Sequence, residues 1–368
     1  MDKDVNGMYE FLFVTPIVCF VFLLVARAVS IKVKLVDKPD YRKTHSNNIP
    51  LVGGIAIYLT VVVINLLFFP FIAHNNAFLM SGFLLVCIGI LDDRYAISVF
   101  IRVIVQAVAA IIIMSDGVYI SSFGNLWDNY ELRLGILSFP VSLLAVWASV
   151  NAFNMIDGID GLLGGLSLLS FTGLAICFSM AGKMYMALYC QLFISAIVPF
   201  ILLNVSFPCV FSRLKIFMGD AGSTFLGFTV IWAIMLATED HNAVMAPATA
   251  IWLIAVPLMD LVAVMFGRLT RRNSPFRPDR THLHHLLINY GFSDKKTLGV
   301  ILTGALLMNV FGIGLNILKV NELISLFLFC LLFVAYCLVR HWLASHARHS
   351  DASQLNESHN KMREMSVQ

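Results

Sequence analysis

Residues 151–165 read NAFNMIDGIDGLLGG. Apolar runs flank this stretch, at about 136–153 and 162–181. Each is near the roughly 20 residues that cross a bilayer core. Between them stand Asn151, Asn154, Asp157 and Asp160, with Gly158 and Gly161 as turn signals. The chain leaves one membrane span here, turns and enters the next. On a helix, Asn151, Asn154 and Asp157 are three apart and share one stripe. Gly158 then breaks the helix and leaves Asp160 on the turn. Two carboxylates at such a turn call for a reason, because charge is scarce in this chain.

The same reading, repeated outward, gives eleven apolar segments: about 9–29, 51–72, 77–91, 99–115, 136–153, 162–181, 185–204, 223–238, 247–267, 298–317 and 322–341. The chain is 59% hydrophobic and 13% charged. A soluble domain is about half apolar and about a quarter charged. The expected fold is an all-α polytopic membrane protein of about eleven transmembrane helices. Residues 1–344 read as one integral-membrane catalytic domain and 345–368 as a polar, disordered cytoplasmic tail. The first span lacks a basic leader and a cleavage site, so it reads as retained. The seven cysteines form no CxxC, and six lie in apolar runs, where they act as small buried hydrophobes.

The 25 Lys and Arg sort sharply between the two sides of an eleven-span chain. Loops on one side carry 21 of them, and the other side carries Lys3, Arg133, Lys183 and Lys319. The positive-inside rule makes the rich side cytoplasmic. The N-terminus is then periplasmic and the C-terminus cytoplasmic. The longest outer loop, about 116–135, has β-branched and aromatic residues around Gly124-Asn125 and suggests a small periplasmic β-hairpin.

Polar chemistry collects in the cytoplasmic loops. ILDDR ends the third span with Asp92 and Asp93; KIFMGDAGS brings Asp220 to the start of the eighth. PDRTHLHH supplies Arg280, His282, His284 and His285, and VDKPDYRKTHS supplies Lys38 and His45. Any one Asp can be a helix cap: Asp160 for the sixth span, or Asp220 with Ser223 for the eighth. Five carboxylates at four helix ends on one side point instead to a shared site. They repel one another unless a cation sits among them, and oxygen ligands suit Mg²⁺ or Mn²⁺. GDAGS opens a helix whose free N–H groups suit phosphate. The histidines, flanked by Arg277 and Arg280, read as a cationic clamp on an anion rather than a zinc site. An interfacial helix with amphipathic histidines is the plainer alternative.

LVDKP, IPLVGGI, LDDR, NAFNMIDGIDGLLGG, FMGDAGS and PDRTHLHH, in that order over about residues 30–340, resemble the polyprenyl-phosphate N-acetylhexosamine-1-phosphate transferases. This superfamily includes MraY and the eukaryotic dolichyl-phosphate enzyme; the sequence around the histidines is most similar to its WecA-like branch. The resemblance implies transfer of N-acetylglucosamine 1-phosphate (GlcNAc-1-phosphate) from UDP-GlcNAc to undecaprenyl phosphate, with release of UMP. It implies a bacterial inner-membrane enzyme with a cytoplasmic site, starting O-antigen and enterobacterial-common-antigen-type polysaccharides. It implies a Mg²⁺ or Mn²⁺ cofactor held by Asp220 and Asn154, and Asp92 and Asp93 beside the acceptor phosphate. Arg102 would face phosphate, Phe217 would stack on uracil, and Arg280 to His285 would approach the donor, with Asn204 in the same donor set. Asp157 and Asp160 count with the catalytic carboxylates and shape the donor site.

The charge problem posed by two anionic substrates agrees with this. Arg102, Lys38 and His45 are expected to steady the acceptor phosphate. An aspartate can act as base, as positioning group or, in a covalent route, as nucleophile. The expected partners are UDP-GlcNAc, undecaprenyl phosphate and the lipid bilayer, with no nucleic acid; a homodimer is left open. Another UDP-N-acetylhexosamine remains an alternative donor. A secondary transporter is the alternative of a different class, disfavoured because the charges sit in loops and no repeat is visible.

Overall fold

A computed structural model of the chain describes residues 9–37, 48–69, 73–127, 130–206, 209–239, 243–274 and 281–365. Side chains are described for these except at 125–127, 130, 209–210 and 347–365. The helices are α1 (Phe11–Val33), α2 (Gly53–Phe68), α3 (Asn75–Tyr95), α4 (Val99–Ser115), α5 (Ser138–Ile156), α6 (Leu162–Met180), α7 (Met184–Asn204) and α8 (Gly219–Ala237). Then come α9 (Pro247–Ala250), α10 (Ala255–Thr270), α11 (Leu283–Asn289), α12 (Asp294–Ile317) and α13 (Glu322–Met365). A 3₁₀ turn, Ile251–Ile254, joins α9 to α10 in a single span, Pro247–Thr270. The expected polar tail from 345 falls almost wholly where side chains are not described.

Every expected apolar segment is a helix, and nine are long and apolar enough to cross a membrane. The other two, α2 and α4, have 16 and 17 residues. At 1.5 Å per residue they are about 24–26 Å long, a little under the hydrocarbon thickness. Their end contacts show that both nevertheless run the full depth of the bundle. Along α3 and α4, Arg102 holds Asp92 at one end (2.7 Å) and His74 meets Asp116 at the other (2.9 Å). For α2, Leu51 pairs with Phe217 just before its start. Near its far end Asn65 donates to the Tyr189 hydroxyl (2.6 Å) and accepts from Asn75 (2.8 Å). Among the described residues, all eleven apolar segments are thus helical, nine of them of spanning length.

The hairpin expected within about 116–135 exists as β3 (Ser122–Trp127) against β4 (Tyr130–Arg133), antiparallel. Its turn is not at Gly124-Asn125. Gly124 lies within β3 at φ +81, where the register shifts, the backbone that a bulge asks of glycine. A second pairing, β1 (Val36–Asp37) with β2 (Ile49–Pro50), ties the ends of the first inner loop together.

The helix α8 is the axis of the bundle and is buried along nearly its whole length. Towards its outer end, Phe225, Phe228 and Trp232 pack on Phe78 of α3, with Phe78 and Trp232 centroids 4.4 Å apart. Between apolar helices in lipid, such shape fit rather than hydrophobic transfer supplies the adhesion. Towards its inner end the contacts are between small residues. A Cβ on Gly54 would stand 2.1 Å from the Cα of Gly222, and one on Gly89 would stand 2.3 Å from the Cα of Ala221. This close approach draws the ends of α2, α3 and α8 together and brings their polar residues into reach of each other.

Candidate active site

Asp220 sits in the first turn of α8, just after Gly219, whose φ of +74 bends the chain into the helix. The Asn154 amide nitrogen donates to the Asp220 carboxylate (2.7 Å) and to the Ser223 hydroxyl (2.8 Å). Asp92 lies within hydrogen-bonding reach of Asp220, and its other neighbour is the Arg102 guanidinium. Asp93, one residue on and about 100° further around α3, meets the backbone of Asp220 rather than its carboxylate. Its Oδ1 accepts the backbone N–H of Asp220 at 2.9 Å. The start of α8, expected as open N–H groups for a phosphate, is thus capped by a carboxylate from another helix. Asp93 fixes the Asp220 loop, and Ser223 lies inside the helix rather than at its cap.

Asn151, Asn154 and Asp157 do share one stripe. All three line a cavity of about 330 Å³, together with Arg102, Gln106, Gly158, Arg268, His282, His284 and His285. Val99, Val103, Trp147, Leu261 and Met265 form its apolar side. Asp157 is exposed within this cavity. Partial desolvation by the surrounding protein, with the nearby Asp220 and Asp160 charges, pushes its carboxyl above the usual range.

Asp160 does not cap α6. Gly161, at φ +82, takes that position, and Asp160 forms an ion pair with Lys215 at 2.5 Å. Lys215 also lies 5.5 Å above the Phe217 ring. Phe217 is anchored by its backbone, its N–H donating to Pro50 and its carbonyl accepting from Val52 and Gly53. Asn204 is buried with both ends of its amide engaged: it accepts from the Gly161 N–H (2.6 Å) and donates to the Ile216 carbonyl (3.0 Å). It clips the Asp160 turn to the Phe217 strand instead of presenting its amide to a ligand.

The histidines divide by surroundings. The His282 Nδ1 meets Asp260 at 2.7 Å and its Nε2 faces Arg268 at 3.5 Å, which places the shared proton on Nδ1. Asp260 is buried within α10, where a carboxylate is costly and needs partners. It has them: the Leu283 N–H (3.0 Å), the Tyr336 hydroxyl (2.8 Å) and Arg340 at 4.0 Å. His284 is 2% exposed, makes no ring hydrogen bond among the described residues and packs against Gly158. Burial, then the fields of His285 and His282, pull its pKa down to about 3. It is neutral, so the expected cationic clamp does not include it. Lys38, His45, Arg277 and Arg280 lie outside the described residues.

Asp260, Gln106, Tyr336 and Arg340 went unnoticed in the sequence. A lone Asp inside an apolar span, LMDLV, was the available signal for Asp260. Among the described residues, no three His, Cys, Asp or Glu side chains are disposed to enclose a metal. The oxygen donors present are fewer: the Asp220 carboxylate and the Asn154 amide oxygen, whose nitrogen is already committed. Two such ligands fit a hard cation that takes the rest of its shell from water and phosphate. The Asp92–Asp220 approach, offset in part by the Arg102 guanidinium, is the charge crowding such a cation relieves.

Residues 75–238 match the family model described as glycosyl transferase family 4. The chain is 45% identical over 339 residues to the undecaprenyl-phosphate alpha-N-acetylglucosaminyl 1-phosphate transferase of Yersinia pestis, covering 91% of each chain. It is 44% identical over 336 residues to the enzyme of that name from Escherichia coli K12, covering 90% of each. With the Haemophilus influenzae enzyme of that name the identity is 40% over 326 residues, 88% of this chain and 92% of the relative.

Proposed function

Because the chain belongs to glycosyl transferase family 4, we propose that it transfers GlcNAc-1-phosphate from UDP-GlcNAc to undecaprenyl phosphate. The observation that carries this is the two-sided cavity. One wall gathers Arg102 from the start of α4 with Asn154 and Asp157 from the end of α5; the other is apolar, with Val99, Val103, Trp147, Leu261 and Met265. A phosphate joined to a long isoprenoid needs both walls at once.

In this reading Arg102, fixed by Asp92, holds the acceptor phosphate. An oxygen of that phosphate attacks the β-phosphorus of the donor. The bond from the β-phosphorus to the bridging oxygen breaks, and UMP leaves with the electron pair. The second pKa of a phosphate monoester is near ~6, so the acceptor is largely a dianion at neutral pH and needs no strong base. Asp220 and the Asn154 amide oxygen would hold Mg²⁺ or Mn²⁺, which when bound neutralises charge on the diphosphate. Phe217, with Lys215 beside it, takes the uracil end of the donor. His282, held by Asp260, faces the donor phosphates.

A single displacement is favoured over a covalent aspartyl route, because Asp93 is committed to capping α8 and Asp92 to Arg102. Among the described residues, Asp157 alone has a carboxylate lining the cavity. The site lies at the helix ends that carry Arg94, Arg102, Arg213, Lys215, Arg268, Arg271 and Arg340. The positive-inside rule therefore supports a cytoplasmic active site in the bacterial inner membrane, at the first lipid-linked step of a surface polysaccharide.

The test is a purified-protein assay with undecaprenyl phosphate, Mg²⁺ and a panel of UDP-sugars, read by the mass of the lipid product and by UMP release. GlcNAc-diphosphate-undecaprenol is the expected product. Absence of UMP release, or a product of different mass, overturns the reading. Labelled UMP exchanging into UDP-GlcNAc without lipid would sink the single displacement.

A further inference from the structure

Behind the His282–Asp260 pair lies a second cavity, of about 640 Å³, walled by α10, α11 and α13. Arg268 forms part of both cavities and separates them. The second is lined by three guanidinium groups, Arg268, Arg271 and Arg340, and by His341; among the described residues no carboxylate lines it. Arg340 donates to the Thr281 carbonyl (2.6 Å), but its Nε is buried and makes no hydrogen bond among the described residues. Asp260, the carboxylate nearest to it, is 4.0 Å away and already has other donors.

The rest of the lining is apolar: Val262, Phe266, Phe333 and Cys337 among others. Val262 and Phe266 also stand exposed on the outer face of the bundle, continuous with Leu269. In a membrane protein this face meets acyl chains. The cavity therefore has a cationic floor at the level where α10 ends, and an apolar side open to lipid. Arginine matches phosphate through paired N–H donors, and an unsatisfied buried guanidinium N–H asks for such an acceptor. A soluble phosphate would satisfy the floor but make no use of the apolar side, which an acyl chain attached to the same headgroup would cover.

We propose that this cavity binds the phosphodiester headgroup of an acidic phospholipid, separately from the acceptor groove, with the start of an acyl chain along Phe266 and Phe333. The site lies outside the reaction described above and does not depend on it.

The test uses the purified full-length protein in nanodiscs of equal parts phosphatidylcholine and phosphatidylglycerol. Native mass spectrometry then counts lipid retained after the disc is stripped. Phosphatidylglycerol is expected to be retained over phosphatidylcholine. Arg271→Ala, at an exposed position, should weaken its retention roughly fivefold, the worth of one basic side chain at an acidic lipid surface. Arg271→Lys should restore most of it. Millimolar inorganic phosphate should not displace the lipid, and neither should undecaprenyl phosphate. Equal retention of the two phospholipids, or indifference to Arg271→Ala, overturns the proposal. So does displacement by inorganic phosphate, which assigns a soluble anion, or by undecaprenyl phosphate, which assigns the acceptor groove.

Discussion

Gly54→Ala tests how the site is assembled, because it touches no polar side chain of the site. The added methyl would stand 2.1 Å from the Gly222 Cα and 2.2 Å from its nitrogen. Both atoms are backbone, so no rotamer change relieves the clash. Ordinary contact begins at 3.4 Å, and 3.4 less 2.1 leaves about 1.3 Å by which α2 and α8 must part. If α8 takes up this shift, the 2.7 Å bond from Asn154 to Asp220 opens to about 4 Å, beyond hydrogen bonding. A misplacement of about 1 Å in a reacting constellation costs on the order of 10²-fold in rate. Overpacking of this kind also costs about 1–3 kcal/mol of stability. The assay is kcat for UMP release by purified protein, alongside helicity and thermal unfolding in the same detergent. Gly304→Ala is the control, since a Cβ there meets nothing within 4 Å. The expected result is a kcat lower by about two orders of magnitude for Gly54→Ala, with helicity retained, and an unchanged control. A Gly54→Ala enzyme with wild-type kcat would refute the claim that this glycine contact sets the spacing of the site.

Asp220→Asn should nearly abolish transfer at every Mg²⁺ concentration, and wild-type turnover at high Mg²⁺ would remove Asp220 from the cation-holding set. His284 has a folded pKa of about 3 against an ordinary 6.5, so the unfolded chain binds its proton first as pH falls. Its contribution to stability is intact above pH 6.5 and is lost towards pH 3, about 2 kcal/mol by pH 5; unfolding titrations should show that slope flattened in His284→Gln. Tyr336→Phe removes one donor from the buried Asp260 carboxylate, costing about 1–3 kcal/mol of stability, read as a lower melting temperature; an unchanged melt would count against the buried network. Lys215→Met breaks a half-exposed ion pair with Asp160, so stability should move by under about 1 kcal/mol, while KM for the UDP-sugar should rise if that corner takes the nucleotide.

The eleven helices were legible because each is an apolar run long enough to stand out, and because loop charge fixes their parity. The carboxylate set was legible as a set, from Asp92, Asp93, Asp157, Asp160 and Asp220 recurring at inner helix ends. The role of each member was not. Asp92 and Asp93 are adjacent in sequence, yet a helix turns successive side chains by about 100°, so one meets Arg102 and the other caps α8. Asp160 looked like a cap because its partner, Lys215, lies 55 residues away. Asp260 was passed over because a single charge in an apolar span carries no period. Its partners, His282 and Tyr336, come from elements that only packing brings together. The charge state of His284 likewise depends on burial, which no local pattern records.

The network of Asn65, Asn75 and Tyr189 gains meaning from where it sits. It fastens α2, α3 and α7 at the end opposite the catalytic carboxylates, while the glycine contacts and the Asp93 cap fasten α2, α3 and α8 at the near end. That half of the molecule is a frame bolted at top and bottom. The cavity proposed for the acceptor, by contrast, is bordered by α4, α5 and α10, helices that these bolts do not join. On the proposed reading, a substrate with a tail longer than the membrane is thick would load and leave sideways, like a thread drawn through a slot, without the frame that aligns its phosphate being loosened.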